Sequence, residues 1–321
     1  MIVEFAFILF LCMVLEISLQ NLWTKKMHKL KIEQVTKEYG PCWHEKTKMG
    51  TPTMGGIVFI PVLLVAVCII FFIDESLSCG RMLQVVSYPI LAAGVGLLDD
   101  WLKYSKHSSD GLKSMQKLLL QVVVTLPWAF WMVEGPFEIL PNIILPTLPA
   151  VFLVTFIGVG LQNGVNVTDG LDGLASGCAL ISFIGAALFI ASDPLIALVI
   201  AAACGIALGF LWHNANPATV FMGDVGAHFF AGLLLAVCLA SSALIMIIPL
   251  CFLFGIEILS VSIQIFSIRC FKKKVFLMSP IHHHFEMLGW KETQIVTRFW
   301  IIHMVGMTVC VSLLFLLVHL I

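Results

Sequence analysis

Apolar residues in this chain run in long unbroken blocks separated by short polar loops, rather than recurring at the spacing of an amphipathic helix or strand. Ten blocks can be marked, at 2–22, 54–73, 82–98, 118–133, 148–167, 174–192, 195–212, 225–241, 243–266 and 300–320. Most approach the roughly 20 residues that a helix needs to cross a bilayer. The pattern predicts an all-α polytopic membrane protein of about ten transmembrane helices, a single domain over 1–321 with no room for a separate soluble unit. The loop at 134–147, with Pro136, Pro141 and Pro146, predicts a short extended or hairpin element outside the membrane.

Composition agrees with this reading. The 321 residues are 60% hydrophobic and only 12% charged, far from the soluble range. Loop charge then sets an orientation. Seven Lys or Arg fall in 23–53, four in 99–117 and six in 267–299, which is 17 of 18, with Arg81 alone in an even-numbered loop. By the positive-inside rule the odd loops are expected in the cytoplasm and both termini on the outer, periplasmic side. The formal net charge of −1 suggests no nucleic-acid partner. The basic flank at Lys25 and Lys26 follows the first apolar run, as expected for a retained helix rather than a cleaved signal.

The ten cysteines, from Cys12 to Cys310, form no C-x-x-C pair and read as small core residues. Trp23, Trp101, Trp212, Trp290 and Trp300 mark cytoplasmic span ends, the ordinary aromatic belt. Glu16 and Glu257 lie within spans, where ionisable groups are functional candidates by default. Snorkelling and a hydrogen bond across the bundle are their plainer readings.

Five aspartates, Asp99, Asp100, Asp169, Asp172 and Asp224, lie just beyond apolar blocks on the same expected face. Carboxylates near lipid need a partner, so together they point to a cation and an anionic substrate. Asp99 and Asp100 precede Lys103, Lys106, Lys113 and Lys117. A polar span end with positive-inside lysines is the bland reading. An acidic pair at a helix C-terminus opposes the helix dipole, which favours a metal or proton-transfer role.

The third cytoplasmic loop spaces Asn163, Asn166, Asp169 and Asp172 three residues apart. If the helix continues through them, they form one polar row, flanked by Gly170 and Gly173. The fourth loop carries Asn214, Phe221 and Asp224 without any Lys or Arg. There Asp224 reads either as a helix cap or as a metal ligand beside an aromatic able to stack on a nucleobase. In the fifth loop, Ser279 and Pro280 predict an N-cap and first turn ahead of His282, His283 and His284. Three consecutive histidines do not suit one zinc ion on a helix, so phosphate contact or proton handling is expected. In the first loop, Lys48, Thr51 and Thr53 sit in a Gly/Pro turn that is either a connector or one wall of a phosphate site.

GTPTMGG at 50–56, the Asp pair at 99–100, NxxNxTDGLDGLA at 163–175, NxxPAxVFMGD at 214–224 and PIHHHFE at 280–286 together resemble the polyprenyl-phosphate N-acetylhexosamine-1-phosphate transferases. The resemblance spans nearly the whole chain. PIHHHFE, with the following Gly289, Trp290, Glu292, Arg298, Phe299 and Trp300, resembles the members that use a muramoyl-pentapeptide donor rather than a GlcNAc one. One departure follows Asp224, where the usual Gly-Ser-Leu is Gly226-Ala227-His228.

The resemblance implies transfer of phospho-MurNAc-pentapeptide from UDP-MurNAc-pentapeptide to undecaprenyl phosphate, giving lipid I and UMP, at the cytoplasmic face of the bacterial inner membrane. It also implies Mg²⁺ as cofactor, the lipid bilayer as environment and a homodimer. Motif placement then assigns Asp224 to the metal, with Asp99 and Asp100 organising the acceptor phosphate or taking its proton. Asn166, Asp169, Asp172 and Phe221 are assigned to the uridine and diphosphate of the donor, and Asn163 and Asn214 to substrate binding. Lys48, Thr53, Lys103 and Lys117 are expected at phosphate, and His282, His283 and His284 at the diphosphate or sugar-peptide as part of the catalytic set. Alternatives at this point are a GlcNAc-1-phosphate transferase of the same family and a multi-pass transporter.

Overall fold

The computed structural model describes residues 1–30, 50–73, 77–106, 108, 110–140, 142–191 and 193–320, so the site assigned to Lys48 lies outside the described residues. The chain is helical almost throughout. In order come α1 (Ile2–Leu30), a 3-10 turn at Gly55–Val58 running into α2 (Phe59–Ile73), α3 (Cys79–Lys106) and α4 (Ser114–Met132). A hairpin of β1 (Phe137–Leu140) and β2 (Ile143–Leu145) follows, then α5 (Thr147–Thr168), α6 (Leu174–Phe189), α7 (Pro194–Asn214) and α8 (Gly223–Ala240). After a 3-10 turn at Leu244–Met246, α9 (Ile247–Leu250), α10 (Phe252–Phe271), α11 (Ile281–Met287) and α12 (Glu292–Leu320) complete the chain.

Among the described residues, eight helices are long and apolar enough to cross a membrane, two fewer than the ten runs marked from sequence. The other two runs are helical too. α4 opens on Gln116 and Lys117 and carries Gln121, which lowers its mean hydropathy, while α6 has only 16 residues. The run at 243–266 is also divided, since Cys251 leaves helical geometry between α9 and α10. The expected hairpin is present, with β1 and β2 antiparallel and Asn142 at φ 66° in its turn.

The centre of the bundle is α7 and α8, buried around most of their circumference, whereas α1 and α12 leave most of theirs exposed. Small residues make this possible, because close helix approach in a membrane depends on van der Waals contact between backbones. A Cβ added to Gly205 of α7 would strike the α1 backbone at Leu9, and one on Gly209 would strike Met13 and Glu16. On the other side of the core, α8 packs along α3. There a Cβ on Gly96 would overlap the backbone of Asp224 and Val225, and one on Gly232 would meet Pro89. Gly96 therefore brings the start of α8 against the final turns of α3. At the opposite end of the bundle, Arg81 ties three helix ends together, reaching Asp193 Oδ2 at 2.6 Å and the carbonyl of Ala240 at 3.0 Å.

Candidate active site

Asp99 and Asp100 lie inside α3 rather than beyond it, because the helix continues to Lys106. That extension places Lys103 one turn further on, with its ammonium 2.6 Å from Asp99 Oδ2 and 3.5 Å from Asp100 Oδ1. Asp224 sits in the first turn of α8, where the helix dipole favours a negative charge. Oxygens of Asp99, Asp100 and Asp224 all lie within 4.8 Å of one another. Their side chains are only 4%, 5% and 13% exposed.

Three carboxylates this close repel strongly at low local dielectric, and two lysines offset that repulsion. Lys103 Nζ is 3.0 Å and Lys117 Nζ 2.6 Å from the same Asp224 Oδ2. The other oxygen of Asp224 accepts a 2.6 Å bond from Asn166 Nδ2. Backbone donors hold the remaining pair, Leu112 N–H to Asp99 Oδ1 at 2.7 Å and Val225 N–H to Asp100 Oδ2 at 3.1 Å. Gly223 takes φ +72°, and a Cβ there would press on Asp100 and Met54. The residue preceding Asp224 is therefore glycine on both conformational and steric grounds.

The turn carrying Thr53 closes one side of this cluster. Its backbone pairs with the loop before α8, through Phe221 N–H to Pro52 O at 2.8 Å, and Gly55 N–H and Gly56 N–H to the carbonyls of Phe221 and Met222 at 2.9 Å each. Thr53 and Phe221 are thereby set beside each other, both half-buried.

The expected four-residue row is interrupted. α5 ends at Thr168, so Asn163 and Asn166 are helical while Asp169 and Asp172 lie in the following turn. Asn163 donates to Gln121 Oε1 at 2.9 Å, and Asn166 reaches Asp224. Asp172 instead braces the loop after α7, accepting from Asn216 Nδ2 at 3.1 Å and Ala218 N–H at 3.0 Å. Its own N–H donates to Glu292 Oε1 at 2.7 Å. Asn214 is also built inward. It is 2% exposed, accepts from Gly173 N–H and Ser176 Oγ, and donates to the carbonyl of Val220.

The three histidines diverge. α11 begins at Ile281 with Pro280 as its cap residue, one position later than the Ser279 cap expected from sequence. His282 turns inward to within 3.1 Å of Glu257. His283 Nδ1 pairs with Glu286 at 2.5 Å, and His284 Nδ1 accepts from Leu277 N–H at 3.1 Å. Gln121 and Leu112 complete the surroundings without having been marked from sequence, as does Glu292, which had entered only through the family resemblance. Gln121 and Glu292 had a legible signal, being polar residues in or beside apolar spans, whereas Leu112 contributes only its backbone.

A family model described as glycosyl transferase family 4 matches residues 82–243, the stretch that holds all three clustered aspartates and both lysines. Phospho-N-acetylmuramoyl-pentapeptide-transferase from Listeria welshimeri is 38% identical over 294 residues, covering 88% of this chain and 90% of its own. The chain belongs to glycosyl transferase family 4, among the phospho-N-acetylmuramoyl-pentapeptide-transferases. The enzyme of that name from Bacillus cytotoxicus is 38% identical, with 89% of this chain and 90% of that one covered. The one from Trichormus variabilis is 36% identical, with 89% and 81% covered. In this transferase His228, which departs from the family pattern, is fully buried one turn below Asp224, with Nε2 3.4 Å from the amide nitrogen of Gln121.

Proposed function

We propose that the protein transfers phospho-MurNAc-pentapeptide from UDP-MurNAc-pentapeptide to undecaprenyl phosphate, forming lipid I and releasing UMP. The observation that carries this reading is the convergence of Asp99, Asp100 and Asp224 with Lys103 and Lys117 at one end of a membrane bundle, in a chain of this family. A water-soluble donor and a lipid acceptor can meet only at a membrane surface. The basic loops support placing that surface on the cytoplasmic side of the bacterial inner membrane.

In the reaction, an oxygen of the acceptor phosphate forms a bond to the sugar-linked phosphorus of the donor. The bond from that phosphorus to the bridging oxygen breaks, and the oxygen leaves with UMP. Catalysis of this kind rests on positioning and charge neutralisation. Lys117 and Lys103 present ammonium groups to the diphosphate, and Asp99 with Asp100 orients the acceptor phosphate or takes its remaining proton. Asn166 orients Asp224. Asp169 and Phe221 face the nucleotide, Phe221 by stacking on uracil, and His283 and His284 meet the sugar-peptide. An all-oxygen set of three carboxylates suits a hard divalent cation. Mg²⁺ held by Asp224, with Asp99 and Asp100 as neighbouring donors, would neutralise phosphate charge there. A homodimer in the membrane accords with the family resemblance.

The test is purified protein with undecaprenyl phosphate, Mg²⁺ and either UDP-MurNAc-pentapeptide or UDP-GlcNAc, following UMP. Release with the first donor, lost in Asp224→Asn, is expected. Release with UDP-GlcNAc alone would move the assignment to a GlcNAc-1-phosphate transferase, and an unimpaired Asp224→Asn would remove the metal role.

A further inference from the structure

Glu257 and His282 form a pair that the reaction outlined above leaves unused. Glu257 projects from the second turn of α10 and His282 from the first turn of α11, both 0% exposed, with Glu257 Oε2 and His282 Nδ1 3.1 Å apart. Among the described residues neither side chain has an aligned hydrogen-bond partner, so the 3.1 Å approach of Glu257 Oε2 to His282 Nδ1 is a contact of charge and proximity. Burying a carboxylate in a membrane helix is costly, and a helix-to-helix contact does not require one, since apolar residues serve as well. A buried group without full satisfaction calls for a reason beyond packing.

The surroundings supply one. The opposite edge of the His282 ring rests on the turn that follows α5, where a Cβ added to Gly170 would collide with Nε2. That turn joins Asn166, which holds Asp224, to Asp172, which braces the loop before α8. α10 itself packs on α5 just upstream, where a Cβ on Gly164 would lie 3.2 Å from the Phe254 carbonyl. The His283 ring stands edge-on to His282 at 4.2 Å between centroids. His282 is thus wedged between an intramembrane carboxylate and the backbone of the turn carrying Asp169.

We propose that Glu257 is a positioning residue for the transferase site. Its carboxylate, 3.1 Å from Nδ1, draws the ring proton of His282 to that nitrogen, leaves Nε2 as the ring atom directed at the Asp169–Gly170 turn, and so holds that turn in the shape that receives the nucleotide donor. The proposal rests on the function proposed above.

The experiment compares Glu257→Ala, Glu257→Gln and Gly170→Ala in UMP release at varied donor and varied acceptor. Alongside it, the ¹⁵N imidazole spectrum of His282 is recorded, assigned with His282→Gln. Losing a buried polar interaction with a charged group is worth ~10- to 100-fold, expected for Glu257→Ala mainly as a raised KM for the UDP-linked donor. The KM for undecaprenyl phosphate should hold. Glu257→Gln, whose amide oxygen still accepts, should restore most of the loss, and Gly170→Ala should resemble Glu257→Ala. The spectrum should show Nδ1 protonated and Nε2 bare in the native protein. Equal impairment of the Gln and Ala variants, an unchanged donor KM in Glu257→Ala, or a native Nε2–H tautomer would each overturn the proposal. Absence of UMP release by the native protein would instead sink the functional reading, while the imidazole spectrum still decides the pair.

Discussion

Lys117 Nζ lies 2.6 Å from Asp224 Oδ2, the same oxygen that Lys103 approaches at 3.0 Å. The two lysines come from the start of α4 and the end of α3, so Asp224 is the point at which three helix ends are tied by charge. An ammonium in that position can exchange a carboxylate oxygen for a phosphate oxygen with little movement, a preorganised arrangement that stabilises charge developing during phosphoryl transfer.

Replacing Lys117 by methionine keeps the length of the side chain and removes its charge. Turnover is expected to fall ~100-fold or more, the usual consequence of deleting one preorganised charge-stabilising group. Steady-state UMP release checks it, and a change confined to KM would show that Lys117 only binds.

Asn166→Ala removes the 2.6 Å donor to Asp224 Oδ1 without altering charge. Groups that orient a ligand contribute about 10- to 100-fold to metal affinity or activity. The Mg²⁺ concentration for half-maximal activity should therefore rise about tenfold, read from a metal titration of the variant.

Asp172→Ala tests the brace rather than the chemistry. The bonds from Asn216 and Ala218 are lost together, and because Asn216 is exposed and Ala218 half-buried the cost is that of two ordinary hydrogen bonds, about 0.5–1.5 kcal/mol each. A lowered unfolding temperature in detergent is expected, and full thermal stability with lost activity would instead place Asp172 directly on substrate.

Gly96→Ala should harm both stability and turnover, because the new methyl meets the Asp224 backbone and overpacking costs about 1–3 kcal/mol. Gly94→Ala, on the same helix with open space around its Cβ position, is the control and should be neutral or stabilising by up to about 1 kcal/mol. Thermal unfolding of the two variants side by side distinguishes a local clash from a general intolerance of alanine in α3.

Much of the architecture was legible in the chain. Apolar runs mark helices because a bilayer admits only segments that satisfy their own backbone hydrogen bonds. Even the hairpin could be anticipated from its prolines. Two of the ten runs, those of α4 and α6, differ in character from the other eight. Gln116, Lys117 and Gln121 lower the hydropathy of a helix whose Met115, Leu119 and Val123 are exposed, and α6 is short, differences that an apolar run by itself does not display.

The sequence by itself determined that acidic and basic residues gather at the ends of apolar segments, and which of them were chemically able to serve a phosphate-transfer site. Only the tertiary structure decided their company. Asp224 joined Asp99 and Asp100 across more than a hundred residues of chain, Asp172 and Asn214 turned to holding loops, and His282 left its neighbours for Glu257. Hydrophobic runs and motif spacing express interactions within one segment, whereas the choice of partner depends on where helix backbones can touch. That choice was made by glycines such as Gly96 and Gly170, which carry no chemistry of their own.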